Sequence, residues 1–118
     1  MTKVRIRPAS LGDWLSFYGQ QPKHTVKAIV ADADGEILGV AGLEKHQGFY
    51  VAFSDIGNKM RKHKKAILKA GKELVTLIND CRLPVVSIQN EDEPTSYEFL
   101  THLGFTPTEE PGVLVWPK

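Results

Sequence analysis

The chain has 118 residues, 42% hydrophobic and 25% charged, with a net charge of +1. That fits one soluble globular domain, 1–118, and argues against a disordered chain or a fibrous repeat. No apolar run approaches the ~20 residues that cross a bilayer, and residues 1–20 hold no apolar stretch of the kind that leads a secretory signal.

Lys3–Arg7 alternates polar and apolar, the period of a half-buried strand, and Pro8 ends it. Ser10-Leu-Gly-Asp13 fits a capping box, with Asp in place of the usual Glu or Gln. Leu11, Trp14, Leu15 and Tyr18 then recur at helical spacing, and 19–24 reads as a loop. Residues 25–31 and 36–44 read as strands joined by Asp32-Ala-Asp-Gly35, which is turn chemistry, and so predict a hairpin. After a tight connection over 45–48, residues 49–53 form a third strand of this meander, and 54–58 reads as a polar loop.

A long helix is expected from about 60 to 80. Ile67, Leu68, Gly71, Leu74, Val75 and Ile78 make one stripe on a 3.6-residue period, so Ile67, Leu68, Leu74, Val75 and Ile78 should pack on the sheet. Residues 85–89 form a short β-branched strand. Pro94 opens a helix over 94–103, Gly104 closes it, and 112–116 is the last strand. The order β-α-β-β-β-α-β-α-β describes a mixed α/β (α+β) architecture, a central sheet of about six strands flanked by helices, antiparallel early and parallel around 85–89.

Charge is segregated along the chain. Lys59, Arg61, Lys62, Lys64, Lys65, Lys69 and Lys72 fall within 14 positions, whereas 83–117 holds no Lys or Arg. Cations in the first turn of a helix oppose its dipole, and a bound anion at that end would relieve the conflict. A solvated helix face explains the same cluster. Glu91-Asp92-Glu93 suits the start of the following helix, with an amine-binding role as the other reading. His24, His46, His63 and His102 are far apart and no spacing links them; each reads as a surface or packing residue, and no metal site is expected. Cys81 is the lone cysteine, so no internal disulfide forms; it reads as a core residue, and a reducing cytoplasm is the expected compartment. Motif sets of nucleic-acid readers, Walker A loops and dinucleotide fingerprints are absent.

The element order, with three local patterns, resembles the GNAT superfamily of acyl-CoA-dependent N-acyltransferases over nearly the whole chain. The patterns are Ile6-Arg7-Pro8-Ala9-Ser10-Leu11-Gly12-Asp13, Gly35-Glu36-Ile37-Leu38-Gly39-Val40-Ala41-Gly42 and Phe99-Leu100-Thr101-His102-Leu103-Gly104-Phe105. The resemblance implies acetyl-CoA as co-substrate and an amine as acceptor. The family's R/Q-x-x-G-x-G/A loop is matched by Arg61-Lys62-His63-Lys64-Lys65-Ala66, with Lys64 in place of the first glycine. It implies cofactor contacts from these six residues, from Val51, Ala52 and Phe53 of the strand before the helix, and from Asn90. The family's thiolate-protonating tyrosine falls at Leu100, so Leu100→Tyr is expected to raise turnover if coenzyme A takes the family's pose. Tyr97 is near but offset. The family's carboxylate base in the fourth strand has no counterpart in 49–53, which leaves Ser54 and Asp55 at the strand end. Catalytic candidates are therefore Ser54, Asp55 and Tyr97. A further resemblance, to small GNAT-like proteins of tailed phages, gives the alternative of a catalytically degenerate protein acting through protein contacts, virion-associated if phage-encoded. A homodimer would suit either reading; no membrane partner is expected.

Overall fold

A computed structural model of the protein describes residues 3–88 and 94–117. The elements run β1 (Val4–Pro8), α1 (Leu11–Tyr18), β2 (Val26–Ala33), β3 (Glu36–His46), β4 (Phe49–Ile56), a 3-10 turn (Asn58–Met60), α2 (Lys64–Asn79), β5 (Val85–Ile88), α3 (Pro94–Leu103), β6 (Thr106–Pro107) and β7 (Val113–Val115). They form one mixed sheet in the order β1-β2-β3-β4-β5-β7-β6, in which β4 and β5 alone run parallel. The expected mixed α/β class and element order hold; the addition is β6, a two-residue strand too short to leave a periodic signal.

Local chemistry sets the early elements. Ser10 and Asp13 form the reciprocal capping box that starts α1, and Gly19 closes it in the left-handed conformation at φ 76°. In the β2–β3 turn Gly35 takes φ 95°, and its N–H donates to Asp32 Oδ1 at 2.7 Å. β3 runs two residues past the expected end, so the following turn is Gln47-Gly48.

Register sorts the sheet into two faces. Arg7, Val30, Val40 and Asp55 lie in one row across four strands. Arg7 reaches Asp13 and Asp55 reaches Tyr18, so this row faces α1. The neighbouring row ends at Phe53, whose ring meets Trp14 edge-on at 5.8 Å. On the opposite face α2 and α3 cover Ile29, Ala41, Leu43, Ala52 and Val85, joined by Leu74, Ile78, Leu100, Phe105 and Leu114.

The structure corrects two expectations about the long helix. It starts at Lys64, not near 60. Met60 is buried against Ala31, Ala33 and Leu38, which holds Asn58–Met60 as a 3-10 turn; His63, at φ −95° and ψ 67°, then breaks the path before α2. Leu68 does not pack on the sheet; it is 64% exposed, because the buried line runs through Gly71, Leu74 and Ile78 and places Leu68 on the flank. Val75 is half-buried.

Candidate functional site

The parallel strands β4 and β5 pair from Tyr50↔Val85 to Ala52↔Ser87, and among the described residues no further rung joins them. β4 continues past that point through Phe53, Ser54, Asp55 and Ile56. Ser54 and Asp55, expected in a loop after the strand, therefore lie inside it. The reason is pairing: Ser54 opposes Ala41 and Asp55 opposes Val40, so β3 holds them extended.

Alternation sends these two residues to opposite faces. Ser54 is buried toward α2, lining a small interior void with Ile67, Ala70 and Phe99. Asp55 faces α1, and the hydroxyl of Tyr18 donates to its Oδ2. Tyr18 is itself packed on Trp14, with ring centroids 4.4 Å apart. The helical spacing of Trp14 and Tyr18 was legible; their convergence on Asp55 was not, since it depends on α1 lying across β3 and β4.

Beyond Ile56 the chain enters the basic segment. Lys59 turns to Glu36 at 2.8 Å, an exposed pair. Apart from Lys72, further along α2, the rest of the cluster divides about the start of that helix. Lys62, His63, Lys64, Lys65, Ala66 and Lys69 border a hollow beside Val4. Arg61 and Lys64 border a larger groove, about 760 Å³, between α2 and α3. Its walls are Ile56, Ile67, Leu68, Phe99 and Leu103; Glu98 and His102 stand on its rim. Here the exposure of Leu68 has its place. Gly71 lies at the base of this groove, and a Cβ there would fall 2.8 Å from Leu103 Cδ2, so glycine is what lets α2 and α3 approach. No side chain caps the start of α2, whose first-turn N–H groups have no partners within the helix.

The remaining sequence candidates divide as follows. Val51 and Ala52 pair with β5; Val51 and Phe53 turn toward the α1 face and Ala52 toward the core under α2. Leu100 is buried at 3% exposure among Leu74, Ile78 and Leu114. Leu100 thus points into the core, and the α3 aromatic ring that lines the groove is that of Phe99, one position earlier. Asn90 and Glu91-Asp92-Glu93 lie outside the described residues, as does the side chain of Tyr97.

Two histidines that sequence spacing left unrelated are neighbours: the rings of His24 and His46 lie 4.5 Å apart, and Glu44 Oε1 is 2.7 Å from His46 Nε2. The Glu44-x-His46 spacing on one strand face was legible; the arrival of His24 was not.

At the sheet's other end, Arg7 donates to Asp13 Oδ2 at 2.6 Å and Oδ1 at 2.9 Å, and to Asp32 Oδ2 at 3.1 Å. The guanidinium, then the Ser10 N–H, hold the Asp13 carboxyl well below the usual carboxylate range. The Gly35 N–H and then Arg7 lower Asp32. This cluster gives the opening Arg7-to-Asp13 pattern a structural role: it ties β1, α1 and the β2–β3 turn together.

No protein-family model matches the chain, and neither does any curated protein. Among solved structures it is similar to the proposed N-acetyl transferase YhhK of E. coli, solved bound to coenzyme A, with 13% identity, a TM-score of 0.62, and coverage of 98% of this chain and 99% of that one. It is also similar to the spermidine/spermine N-acetyltransferase SpeG of Vibrio cholerae, at 13% identity and a TM-score of 0.54, over 96% of this chain and 92% of that one. The chain has the GNAT fold. At this identity the likeness speaks to the fold alone. Among the described residues no helix is long and apolar enough to cross a membrane.

Proposed function

We propose that the protein is a GNAT-type N-acyltransferase that binds an acyl-CoA in the α2–α3 groove and passes the acyl group to an amine. One observation carries this reading: a groove of about 760 Å³ with apolar walls and the cations Arg61 and Lys64 at the start of a helix. A coenzyme A thioester is a polyanion joined to a long, weakly polar arm. The anionic end suits the helix start and its cations; the arm suits Ile56, Ile67, Leu68 and Phe99. Lys64, where the family has glycine, would meet phosphate with charge in place of close backbone approach.

In this reading the thioester reaches the β4–β5 edge, and β4 N–H groups beyond Ala52 stabilise the carbonyl oxygen as it gains charge, a contribution of about 10²–10³ in rate per donor. The amine attacks the thioester carbon from the α1 face. Asp55, held by Tyr18, accepts the proton the amine sheds, and the coenzyme A thiolate leaves. Acetyl-CoA is the simplest acyl donor, and the acceptor is an amine able to enter beside Trp14 and Tyr18. The setting is cytoplasmic, where the thiol of Cys81 stays reduced.

Calorimetric titration with acetyl-CoA tests the binding step, followed by an acetylation screen over a panel of amines. Saturable binding that Arg61→Glu abolishes supports the reading. Absence of binding at millimolar acetyl-CoA overturns it. A second reading has its own observation: no hydroxyl faces the groove from Phe99 or Leu100, so the thiolate lacks that acid. Binding without turnover on any amine would favour this catalytically degenerate form, working through a protein partner, as the phage-encoded resemblance implies.

A further inference from the structure

Away from the groove, three side chains with metal-binding atoms converge on the α1 face of the sheet. Glu44 and His46 stand two apart on β3, so both point to one side. Val26 pairs with Glu44, which brings His24, two residues earlier, opposite His46. The Lys45 N–H donates to the Thr25 carbonyl at 2.8 Å and fastens this upstream stretch to the strand. One ligand atom from each of His24, Glu44 and His46 lies within 4.8 Å of the others. Glu44 Oε1 is 2.7 Å from His46 Nε2 and 3.9 Å from His24 Nε2. The His46 ring is stacked on Phe49 at 5.3 Å and 12°, which fixes its plane.

We propose that His24, Glu44 and His46 form a binding site for a divalent transition-metal ion of the zinc class. Bonds of about 2.0–2.2 Å to imidazole nitrogen and carboxylate oxygen place the donors of a tetrahedral site about 3.4 Å apart, between the two distances seen here. Closing the site takes small side-chain adjustments in residues that are exposed or half-buried. Two imidazoles and one carboxylate suit zinc and its neighbours; magnesium and calcium require oxygen donors. A His46–Glu44 hydrogen bond alone explains two of the three residues; it does not explain the second imidazole presented to the same oxygen. The bound ion would keep a fourth position for water and would clamp the α1–β2 connection to β3. It lies beside a hollow lined by Trp14, Pro22 and His24, on the sheet face opposite the groove. The site is independent of whether acyl-CoA binds.

The test is calorimetric titration of the whole chain, stripped with a chelator, using zinc chloride and then magnesium chloride, with cobalt(II) as a spectroscopic substitute. The expected result is one zinc ion per chain, no magnesium binding, and a tetrahedral cobalt spectrum. Glu44→Gln, which keeps a hydrogen-bond acceptor for His46, should weaken zinc at least about 10-fold, and His24→Ala should do the same and remove the cobalt bands. His24 is exposed, so that variant should fold, and a circular dichroism melt checks it. Absence of zinc binding overturns the proposal, as does zinc binding that survives His24→Ala combined with His46→Ala.

Discussion

Arg7 shows how one residue can bind three segments. Its guanidinium spans Asp13 at the start of α1 and Asp32 at the end of β2; it is the main cause that lowers Asp13, and it adds to the Gly35 N–H in lowering Asp32. In the unfolded chain both should titrate near the reference value of about 3.9. The folded state holds them charged to lower pH, so below that value the unfolded state binds more protons. The stability they contribute is complete above about pH 4 and is lost as pH falls through the folded values. Chemical denaturation followed from about pH 5 to pH 2 should show this loss, and Arg7→Met should reduce it, leaving the part due to the Ser10 and Gly35 N–H groups. A second residue-scale prediction concerns Gly42 in β3. A Cβ there would lie 2.2 Å from the Lys27 carbonyl oxygen and 2.7 Å from Ala28 Cα, both backbone atoms held by the β2–β3 ladder. Gly42→Ala should cost about 1–3 kcal/mol or more in a urea titration, since neither neighbour can move aside.

Among the elements, α2 joins the core to the groove. Its inner line is fully covered: Leu74 is 0% exposed and packs with Ile29, Leu43 and Ile78. Leu74→Ala should cost about 2–5 kcal/mol, read from the denaturation midpoint; a change within error would mean that α2 is rotated from the register described. The same element logic governs α3. Leu100 belongs to the core line, so Leu100→Tyr should destabilise by about 1–3 kcal/mol and leave turnover unimproved. Phe99→Tyr is the variant that adds a hydroxyl to the groove, and in the acyltransferase reading it should raise turnover at little cost in stability. Enzyme assays and melts on both variants separate the two effects.

Across the whole molecule, the groove lies between α2 and α3, and both helices pack on the same sheet face. A ligand held there binds only the folded chain and so stabilises it as a unit. At 100 times its dissociation constant the gain is about 2.7 kcal/mol. Coenzyme A or pyrophosphate should therefore raise the melting temperature with rising concentration, and Arg61→Glu should remove the rise. The segregated charge has a spatial counterpart: Lys62, Lys65 and Lys69 border one side of the α2 start while Arg61 borders the other, so an approaching anion meets positive charge from either side.

Local features determined what a reader of the sequence could find. The capping box at Ser10 and Asp13 and the close of α3 at Gly104 depend on residues within a few positions of one another and stand as expected; the β2–β3 turn narrows to Asp34-Gly35 because Asp32 and Ala33 pair within β2, and the α2 stripe holds at Leu74 and Ile78 but not at Leu68. Distant pairing decided the rest. β4 runs on through Ser54 and Asp55 because β3 pairs with them; α2 starts late because Met60 is buried under β2 and β3; Leu68 is exposed because α2 packs along a narrower line than its helical stripe implies. The register of β2 against β3 likewise set His24 beside His46, across 22 positions of chain. Spacing within an element is written in neighbouring residues, whereas contact between elements arises only when their apolar faces must share one core.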